Sequence, residues 1–262
     1  MDDRTEPPFR AEHVGSLLRP RDLVAARQDF RAGRIAADRL RAAEDDAIRD
    51  VVALQEGLGL RAVTDGEFRR TSWHMDFIYQ LGGVVRSGEE LVVQFRNDEG
   101  VGQFIADGLA VNKPLHLDAP IFTDDFRFLA GAVRTAVPKM TIPSPSMVLL
   151  RSGTGAVDRS VYPDLDEFWA DLATAFADEI RALADAGCRY LQLDDTSLAC
   201  LNDPSQREAL AARGDDADHT HERNIRTINA ALADRPAGMR IAAHVCRGNF
   251  RSSWIAEGGY DY

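Results

Sequence analysis

Apolar side chains recur every three or four residues in three long stretches of the chain, and a short apolar or β-branched run follows each stretch. This spacing predicts a helix with one buried face, and each following run predicts a strand. The three predicted helices are residues 38–58, 164–186 and 219–233. The strands predicted after them are residues 61–65, 190–194 and 240–246. Weaker strand patterns, which bring the total to about six, lie at residues 11–14, 117–122 and 137–142.

The alternation of strand and helix is typical of βαβ units around a parallel sheet, and it predicts an α/β protein with one domain over residues 1–262. Between residues 82 and 113 the pattern changes to two apolar runs around a Ser87-Gly88 turn, which predicts an inserted β-hairpin. Polar residues stand at the carboxyl ends of several strands, where a (β/α)₈ barrel has its active face. The Gly-rich turn typical of a doubly wound sheet is missing after the first strand, so we expect a TIM barrel.

Composition excludes several classes of protein. The 31 Lys and Arg against 42 Asp and Glu give a formal charge of −11, and an acidic surface argues against nucleic acid as a partner. No apolar stretch approaches the 18 residues of a membrane span, and the first ten residues do not form a signal peptide. Three cysteines are too few for a disulfide framework and fit reduced thiols or a metal ligand, so we expect a cytoplasmic protein.

His244 and Cys246 are the sharpest local signal for chemistry. Residues two apart on a strand point to the same face, so the imidazole and the thiol can converge on one point. Both groups are ligands that zinc takes in proteins. The residues alone also allow a strand-end histidine with one hydrogen bond beside a cysteine that only packs.

Asp194 and Asp195 end a predicted strand. Alternation of side chains places Gln192 and Asp194 on the inner face and Asp195 on the other face. Asp194 then accepts a hydrogen bond from a substrate ammonium group or acts as a general base. The alternative, a carboxylate that caps the next segment, stays open.

Two turns carry weaker signals. Gly66 allows a tight turn that aims Glu67 over the barrel mouth. A solvated loop, in which acids pair with neighbouring arginines, explains the same residues and is favoured when they are taken alone. Gly15 and Ser16 offer backbone N–H groups to an anion or form a simple turn.

Five short segments form an ordered set that covers nearly the whole chain. They are His13-Val14-Gly15-Ser16, Thr64-Asp65-Gly66-Glu67-Phe68, Pro143-Ser144-Pro145-Ser146-Met147, Leu191-Gln192-Leu193-Asp194-Asp195 and His244-Val245-Cys246. Together they resemble the cobalamin-independent methionine synthase family, especially its single-barrel members. The His-x-Cys behind the Gln-x-Asp-Asp strand is the specific part of the resemblance.

The resemblance implies a zinc-dependent methyltransferase on a TIM barrel. In the family, zinc binds the thiol of homocysteine, which takes a methyl group from N5 of methyltetrahydrofolate and becomes methionine. The residues it implies are His244 and Cys246 as zinc ligands, Glu67 and Asp194 as catalytic carboxylates at the amino group of homocysteine, and Gly15 and Ser16 at its carboxylate.

One departure from the family concerns the end of the sequence. The family completes its zinc site with a Glu and a Cys on later strands, whereas this sequence stops at Tyr262. We therefore expect an incomplete barrel of about six of eight βα units, truncated at its C-terminus, with two protein ligands for zinc. We also expect the 262-residue chain alone to be poorly active or inactive. Assays with and without zinc, beside a chain extended by two βα units, test this.

The second departure concerns the methyl donor. Long members of the family carry a tryptophan near Met147 that stacks on the folate, and here Leu149, Leu150 and Arg151 stand in its place. The donor and any polyglutamate preference therefore stay open, as does assembly into a homo-oligomer. The alternative functions are a zinc thiol alkyltransferase of the epoxyalkane–coenzyme M type, a metal-free lyase of the uroporphyrinogen decarboxylase type, and a non-catalytic truncated barrel.

Overall fold

The computed structural model describes residues 6–258. The ends of the predicted domain, residues 1–5 and 259–262, lie outside the described residues. The helices are α1 Arg21–Arg31, α2 Ala37–Gly57, α3 Met75–Ile78, α4 Thr123–Ala132, α5 Leu165–Asp185, α6 Ser197–Cys200, α7 Pro204–Ala212 and α8 Thr220–Leu232, with 3₁₀ turns at Pro145–Met147 and Thr154–Ala156. The strands are β1 Ala62–Val63, β2 Gly82–Asn97, β3 Gly100–His116, β4 Val137–Pro138, β5 Met140–Pro143, β6 Tyr190–Asp195, β7 Arg240–Val245, β8 Asn249–Phe250 and β9 Ser253–Trp254.

Parallel strands form the frame of the fold. β1 pairs with β4, β5 pairs with β6, and β6 pairs with β7, all in parallel. Only Lys139 separates β4 from β5, so these two strands act as one position in the frame. The strands then pair in the order β1, β4–β5, β6, β7, which is their order along the chain. A doubly wound sheet reverses its strand order, whereas the wall of a barrel does not. The predicted α/β class is confirmed.

The weak strand patterns near the N-terminus and behind the hairpin are wrong. Residues 11–14 and 117–122 are not strands. The Nζ atom of Lys139 donates to the carbonyl of His13 at 2.6 Å, and the carboxylate of Glu179 accepts from the amide N–H groups of residues 121 and 122 at 2.8 and 2.9 Å. Because side chains satisfy these backbone groups, neither segment needs a strand ladder. When β4 and β5 are counted as one, the described part of the chain has four parallel strands, whereas we expected about six.

The predicted hairpin is present, but its turn is elsewhere. β2 and β3 pair in antiparallel fashion between β1 and β4 in the chain. The chain reverses at residues 98–99, and the predicted Ser87-Gly88 turn lies inside β2. The register of the pair shifts between Arg86 and Glu90, and Gly88 has a φ of 77°. These residues therefore form an irregularity of the bulge type rather than a turn.

Three long helices lie within one residue of their predicted bounds at each end: α2, α5 and α8. α5 begins after Asp164, whose carboxylate accepts a hydrogen bond from the N–H of Asp166 at 2.9 Å, as expected of an N-cap. Its predicted apolar stripe is buried and forms much of the main core. The spacing of three or four residues also predicts Leu54 and Leu58 on the buried face of α2. This is wrong, since both side chains are exposed and Ile48 and Val52 are buried instead.

A buried polar network fixes the N-terminal segment across the inner face of the strands. Lys139, whose side chain is fully buried, donates to the carboxylate of Glu12 and to the amide oxygen of Gln192, each at 3.1 Å. The hydroxyl of Tyr190 donates to the same Glu12 carboxylate at 2.6 Å. The residues that follow this network, Gly15 and Ser16, lie beside the carboxyl ends of β6 and β7. Within residues 6–258, no helix has both the length and the apolar character needed to cross a membrane.

Candidate active site

A cavity of about 360 Å³ opens at the carboxyl ends of β6 and β7, beside the turn that follows β1. This volume lies in the range of small-molecule sites. All six residues that the sequence singles out for chemistry line it: Gly15, Ser16, Glu67, Asp194, His244 and Cys246. The structure therefore brings together side chains and backbone groups from four separate parts of the chain.

Glu67 is buried by the turn after β1. Gly66 has a φ of 67°, and a Cβ atom there would lie 3.0 Å from the ring of Phe68, so the turn requires glycine. Glu67 itself has a φ of 58°, an uncommon backbone conformation for a residue with a side chain. Its carboxylate accepts hydrogen bonds from the hydroxyls of Ser16 and Thr141. The solvation expected for this loop is wrong, because Glu67 is only 1% exposed. The expected pairing of an acid with a neighbouring arginine is present, since Nη1 of Arg70 lies 3.5 Å from the Glu67 carboxylate.

Asp194 points to the inner face of β6, as side-chain alternation predicts. Its carboxylate accepts a hydrogen bond from Nε2 of Gln192 at 2.6 Å. Burial raises the pKa of Asp194 to about 7 against the opposing effect of this hydrogen bond, and the charge of nearby Glu67 raises it further. Asp194 can therefore gain or lose a proton near neutral pH.

Asp195 also borders the cavity, but local hydrogen bonds occupy its carboxylate. Its carboxylate accepts hydrogen bonds from the hydroxyls of Ser146 and Ser197 and from the N–H of Leu198 at 2.9 Å. The last two contacts join it to the first turn of α6. The capping role that the sequence left open for this pair of acids thus belongs to Asp195, while Asp194 faces the cavity.

His244 and Cys246 converge at the end of β7. A hydrogen bond with His244 is the main cause that lowers the pKa of the Cys246 thiol. The N–H of Gly248 also donates to the Cys246 sulfur at 3.3 Å. The pair thus places a nitrogen donor and a sulfur with thiolate character side by side on the cavity wall.

This pair fits part of a zinc site. An imidazole and a thiol have the right donor chemistry for zinc, and the side chains of His244 and Cys246 line the same cavity. Among residues 6–258, however, no group of three or more His, Cys, Asp or Glu side chains is placed to hold a metal ion. At least two positions of a tetrahedral zinc would fall to other ligands.

Gly15 and Ser16 contribute the mouth of the cavity on the side of the N-terminal segment. Gly15 has a φ of 79°, and its own carbonyl oxygen lies 2.7 Å from Nε2 of His13. Neither Gly15 nor Ser16 has a hydrogen-bond partner for its backbone N–H among the described residues. Two neighbouring N–H donors without partners can bind an anionic oxygen.

The sequence did not single out every residue of the cavity wall. Trp73, Phe95 and Asn249 also line it, and so does Arg151. Trp73 follows the turn of Glu67, while Phe95 belongs to the inserted hairpin. Nothing in their local patterns indicates a site, because four separate parts of the chain bring them to this wall.

Comparison with known proteins gives one family. The family described as cobalamin-independent synthase, catalytic domain, matches residues 9–256 of this chain. The uncharacterised protein YxjH of Bacillus subtilis is 42% identical over 260 residues, which cover 99% of this chain and 67% of that protein. A methionine synthase of Sulfurisphaera tokodaii is 25% identical over 239 residues, which cover 90% of this chain and 61% of that protein.

A solved structure agrees in fold. A protein of Listeria monocytogenes, provisionally described as a vitamin-B12-independent methionine synthase, superposes with a TM-score of 0.75 at 38% identity. The match covers 92% of this chain and 66% of that protein. The chain thus spans about two thirds of the length of the relatives that it matches.

Proposed function

The chain belongs to the family of cobalamin-independent synthase catalytic domains, and from this premise we propose that it transfers a methyl group to the thiol of homocysteine, which gives methionine. The donor in this proposal is a methyltetrahydrofolate. The observation that carries the proposal is the convergence of Gly15, Ser16, Glu67, Asp194, His244 and Cys246 on one cavity. A cavity with two acids at one side and a His–Cys pair at another suits an amino acid that carries a thiol.

The acids and the backbone donors would bind the two ends of the amino acid. The ammonium group of homocysteine donates to Glu67 and Asp194, since both are buried carboxyls with acceptor capacity facing the cavity. Its carboxylate accepts from the free N–H groups of Gly15 and Ser16. These contacts orient the substrate so that its thiol extends towards β7.

His244 and Cys246 would hold zinc, together with ligands beyond the described residues. When bound, zinc lowers the pKa of a coordinated thiol, so that a thiolate nucleophile exists at neutral pH. The thiol proton needs an acceptor, and Asp194, with its pKa of about 7, can take it. In the transfer, a bond forms between the homocysteine sulfur and the methyl carbon, and the bond between that carbon and N5 of the donor breaks. The electron pair of the broken bond stays on N5, which takes up one proton, so that the proton lost by the thiol balances the step.

The remaining parts of the proposal concern the whole protein. We take residues 1–262 as one domain of the barrel type, in which the four described parallel strand positions form part of the wall. The expected count of about six βα units is not met in residues 6–258, which hold four parallel strand positions. A cytoplasmic location fits a reaction that needs its substrate as a reduced thiol. Cys188, Cys200 and Cys246 are all free in the structure.

A methyl-transfer assay tests the function. The zinc-loaded chain is incubated with homocysteine and ¹³C-methyl-labelled methyltetrahydrofolate, as monoglutamate and as triglutamate, and labelled methionine is measured by mass spectrometry. We expect little labelled methionine from the 262-residue chain and more from a chain extended by two βα units. His244→Ala or Cys246→Ser in the extended chain should lower the yield at least a hundredfold. Cys188→Ser, which alters a buried thiol away from the cavity, should keep the activity.

Two results would contradict the proposal. A zinc-loaded extended chain that yields no labelled methionine with either donor would remove the methyl-transfer function. Equal activity in wild-type, His244→Ala and Cys246→Ser chains would remove the roles of both residues.

A further inference from the structure

A second cavity of about 500 Å³ adjoins the candidate active site. It lies between the segment that follows the Glu67 turn and the inserted hairpin. The two cavities share five wall residues: Ser16, Trp73, Phe95, Arg151 and Asn249. A molecule in the second cavity can therefore extend to the candidate homocysteine site without crossing the protein core.

Arg151 brings an uncompensated positive charge to this shared wall. Among residues 6–258, its guanidinium has neither a hydrogen bond nor an ion pair. The neighbouring thiol of Cys200 is neutral at pH 7, because burial raises its pKa to about 12. Arginine keeps its charge in proteins, and Arg151 is only partly exposed. An anion on this wall would give the charge a hydrogen-bonded partner. This environment favours the binding of an anion.

His74 adds a buried hydrogen-bond donor to the same cavity. The hydroxyl oxygen of Ser72 accepts from the N–H of Met75 at 3.3 Å and lies 3.2 Å from Nδ1 of His74. The hydroxyl hydrogen is then free to donate to Nδ1, which assigns the ring proton to Nε2. His74 is only 4% exposed, and its Nε2 has no partner among the described residues.

Aromatic rings form the other walls of the second cavity. They belong to Trp73, Tyr79, Phe95, Phe104 and Phe250. Arg86 also lies there, over the ring of Tyr79 at 4.0 Å, but it forms an ion pair with Asp107. The aromatic walls suit a planar ligand. Arg19 and Asp76 also line this cavity. Arg19 donates to two backbone carbonyls, and Asp76 accepts from two backbone N–H groups. Among the described residues that line the cavity, Arg151 is therefore the arginine whose guanidinium has no hydrogen-bond partner.

We propose that the second cavity binds an aromatic anion, whose charged oxygens accept hydrogen bonds from Arg151 and from Nε2–H of His74 while its ring packs between the aromatic walls. Glu67 and Asp194 line the first cavity and not the second. If homocysteine fills the first cavity, this ligand is the methyl donor. That last step rests on the proposed function, whereas the anion site does not.

Calorimetric titration of the full 262-residue chain tests the site. The probes are benzenesulfonate, its neutral analogue benzenesulfonamide, and inorganic sulfate. We expect benzenesulfonate to bind at least tenfold more tightly than either of the others, with a change in tryptophan fluorescence. Equal affinity for the sulfonate and the sulfonamide would overturn the role of charge. Equal affinity for the sulfonate and sulfate would overturn the role of the rings.

Variants identify the groups that bind the anion. Arg151→Gln should weaken benzenesulfonate binding at least tenfold without changing benzenesulfonamide binding, and Arg151→Lys should recover part of the loss. His74→Gln should weaken sulfonate binding about threefold. Arg235→Gln removes an exposed charge behind α8 and serves as the control. If Arg151→Gln does not fold, Arg151→Lys and His74→Gln decide the matter, and unchanged affinity in both overturns the proposal.

Homocysteine separates this proposal from the proposed function. We expect benzenesulfonate and homocysteine to bind together, because they occupy different cavities. Displacement of benzenesulfonate by homocysteine would mean that Arg151 serves the acceptor, which overturns the second site and leaves methyl transfer intact. Arg151-dependent sulfonate binding by a chain that makes no methionine would uphold the anion site and remove the proposed function.

Discussion

Burial controls the ionisation of the residues around the two cavities. Asp194 and His74 are each 4% exposed, and each has its pKa moved in the direction that favours the neutral form. Such groups affect folding stability as pH changes, because the folded and unfolded chains bind different numbers of protons. Asp194 should lower the free energy of unfolding as pH rises, and His74 should lower it as pH falls, so the two effects can be tested separately.

Replacement of Asp194 by Asn should stabilise the protein at neutral pH. The pKa of Asp194 is about 7 in the folded chain and near 3.8 when unfolded, so the folded state binds more protons between these values and stability falls as pH rises. The difference in unfolding free energy between Asp194→Asn and wild type should therefore grow by roughly 2 kcal/mol from pH 5 to pH 7 and stay constant above. Urea denaturation measures it.

The control for this experiment is Asp178→Asn, which changes a surface carboxylate on α5. Its difference from wild type should be nearly independent of pH. A difference for Asp194→Asn that is equally flat, or that shrinks towards pH 7, would show that Asp194 is ionised in the folded protein at pH 5.

His74 should destabilise the protein under acidic conditions. Burial, helped by the charge of Arg151, lowers the pKa of His74 to about 3, against 6.5 for the ordinary side chain. The folded state then binds fewer protons below pH 6.5, and stability is lost as pH falls. Relative to His74→Gln, wild type should lose roughly 2 kcal/mol between pH 7.5 and pH 5. Thermal unfolding of both proteins at several pH values measures this loss. If the stabilities of wild type and His74→Gln changed with pH in parallel, His74 would be freely protonated in the folded protein and the prediction would be wrong.

Local periodicity predicts some of these residues and misses others for a physical reason. Alternation along β6 is enough to place Asp194 inward, and the i, i+2 spacing is enough to bring His244 and Cys246 together. The burial of Glu67 depends on a left-handed turn and on the hydroxyl of Thr141, which is 74 residues away in sequence. No local pattern carries that contact.

At the scale of elements, the N-terminal segment depends on a buried ion pair rather than on a strand ladder. Lys139 binds the carboxylate of Glu12 and the carbonyl of His13, and it thereby fixes the segment that leads to Gly15 and Ser16. A buried ion pair adds little net stability over an apolar pair, but removal of one partner leaves an uncompensated charge.

Lys139→Met should therefore destabilise the protein by about 3–5 kcal/mol. It should also increase hydrogen exchange in residues 9–17, because the segment loses its main attachment. The double variant Lys139→Met with Glu12→Gln should recover part of the stability, since it removes the unpaired charge. Lys113→Met, at an exposed position on β3, provides the matched control. Unchanged exchange in residues 9–17 would contradict the role of this network.

The prediction of elements succeeds where the pattern is long and fails where side chains replace the ladder. α2, α5 and α8 each carry a stripe that spans several turns, and their bounds are accurate to one residue. The short apolar runs at residues 11–14 and 117–122 look like strands, but Lys139 and Glu179 satisfy their backbone groups. The hairpin is predictable as an insertion, whereas its turn is not, because Gly88 marks a bulge.

At the scale of the molecule, strand order places two cavities at one edge of the fold. The first cavity has the acids Glu67 and Asp194 and the His244–Cys246 pair, and the second has the free charge of Arg151. The alternation of strand and helix predicts the α/β class and the edge at which the site lies. The second cavity is not predictable in this way, because it depends on how the hairpin folds back over that edge.

The central claim is that His244 and Cys246 hold a zinc ion to which the thiol of homocysteine binds. X-ray absorption at the zinc edge of the zinc-loaded full chain tests it most directly. The account predicts one sulfur ligand without homocysteine and two with it, and one fewer in each state for Cys246→Ser. A sulfur count that homocysteine does not change, or that Cys246→Ser leaves as it is in wild type, would contradict it.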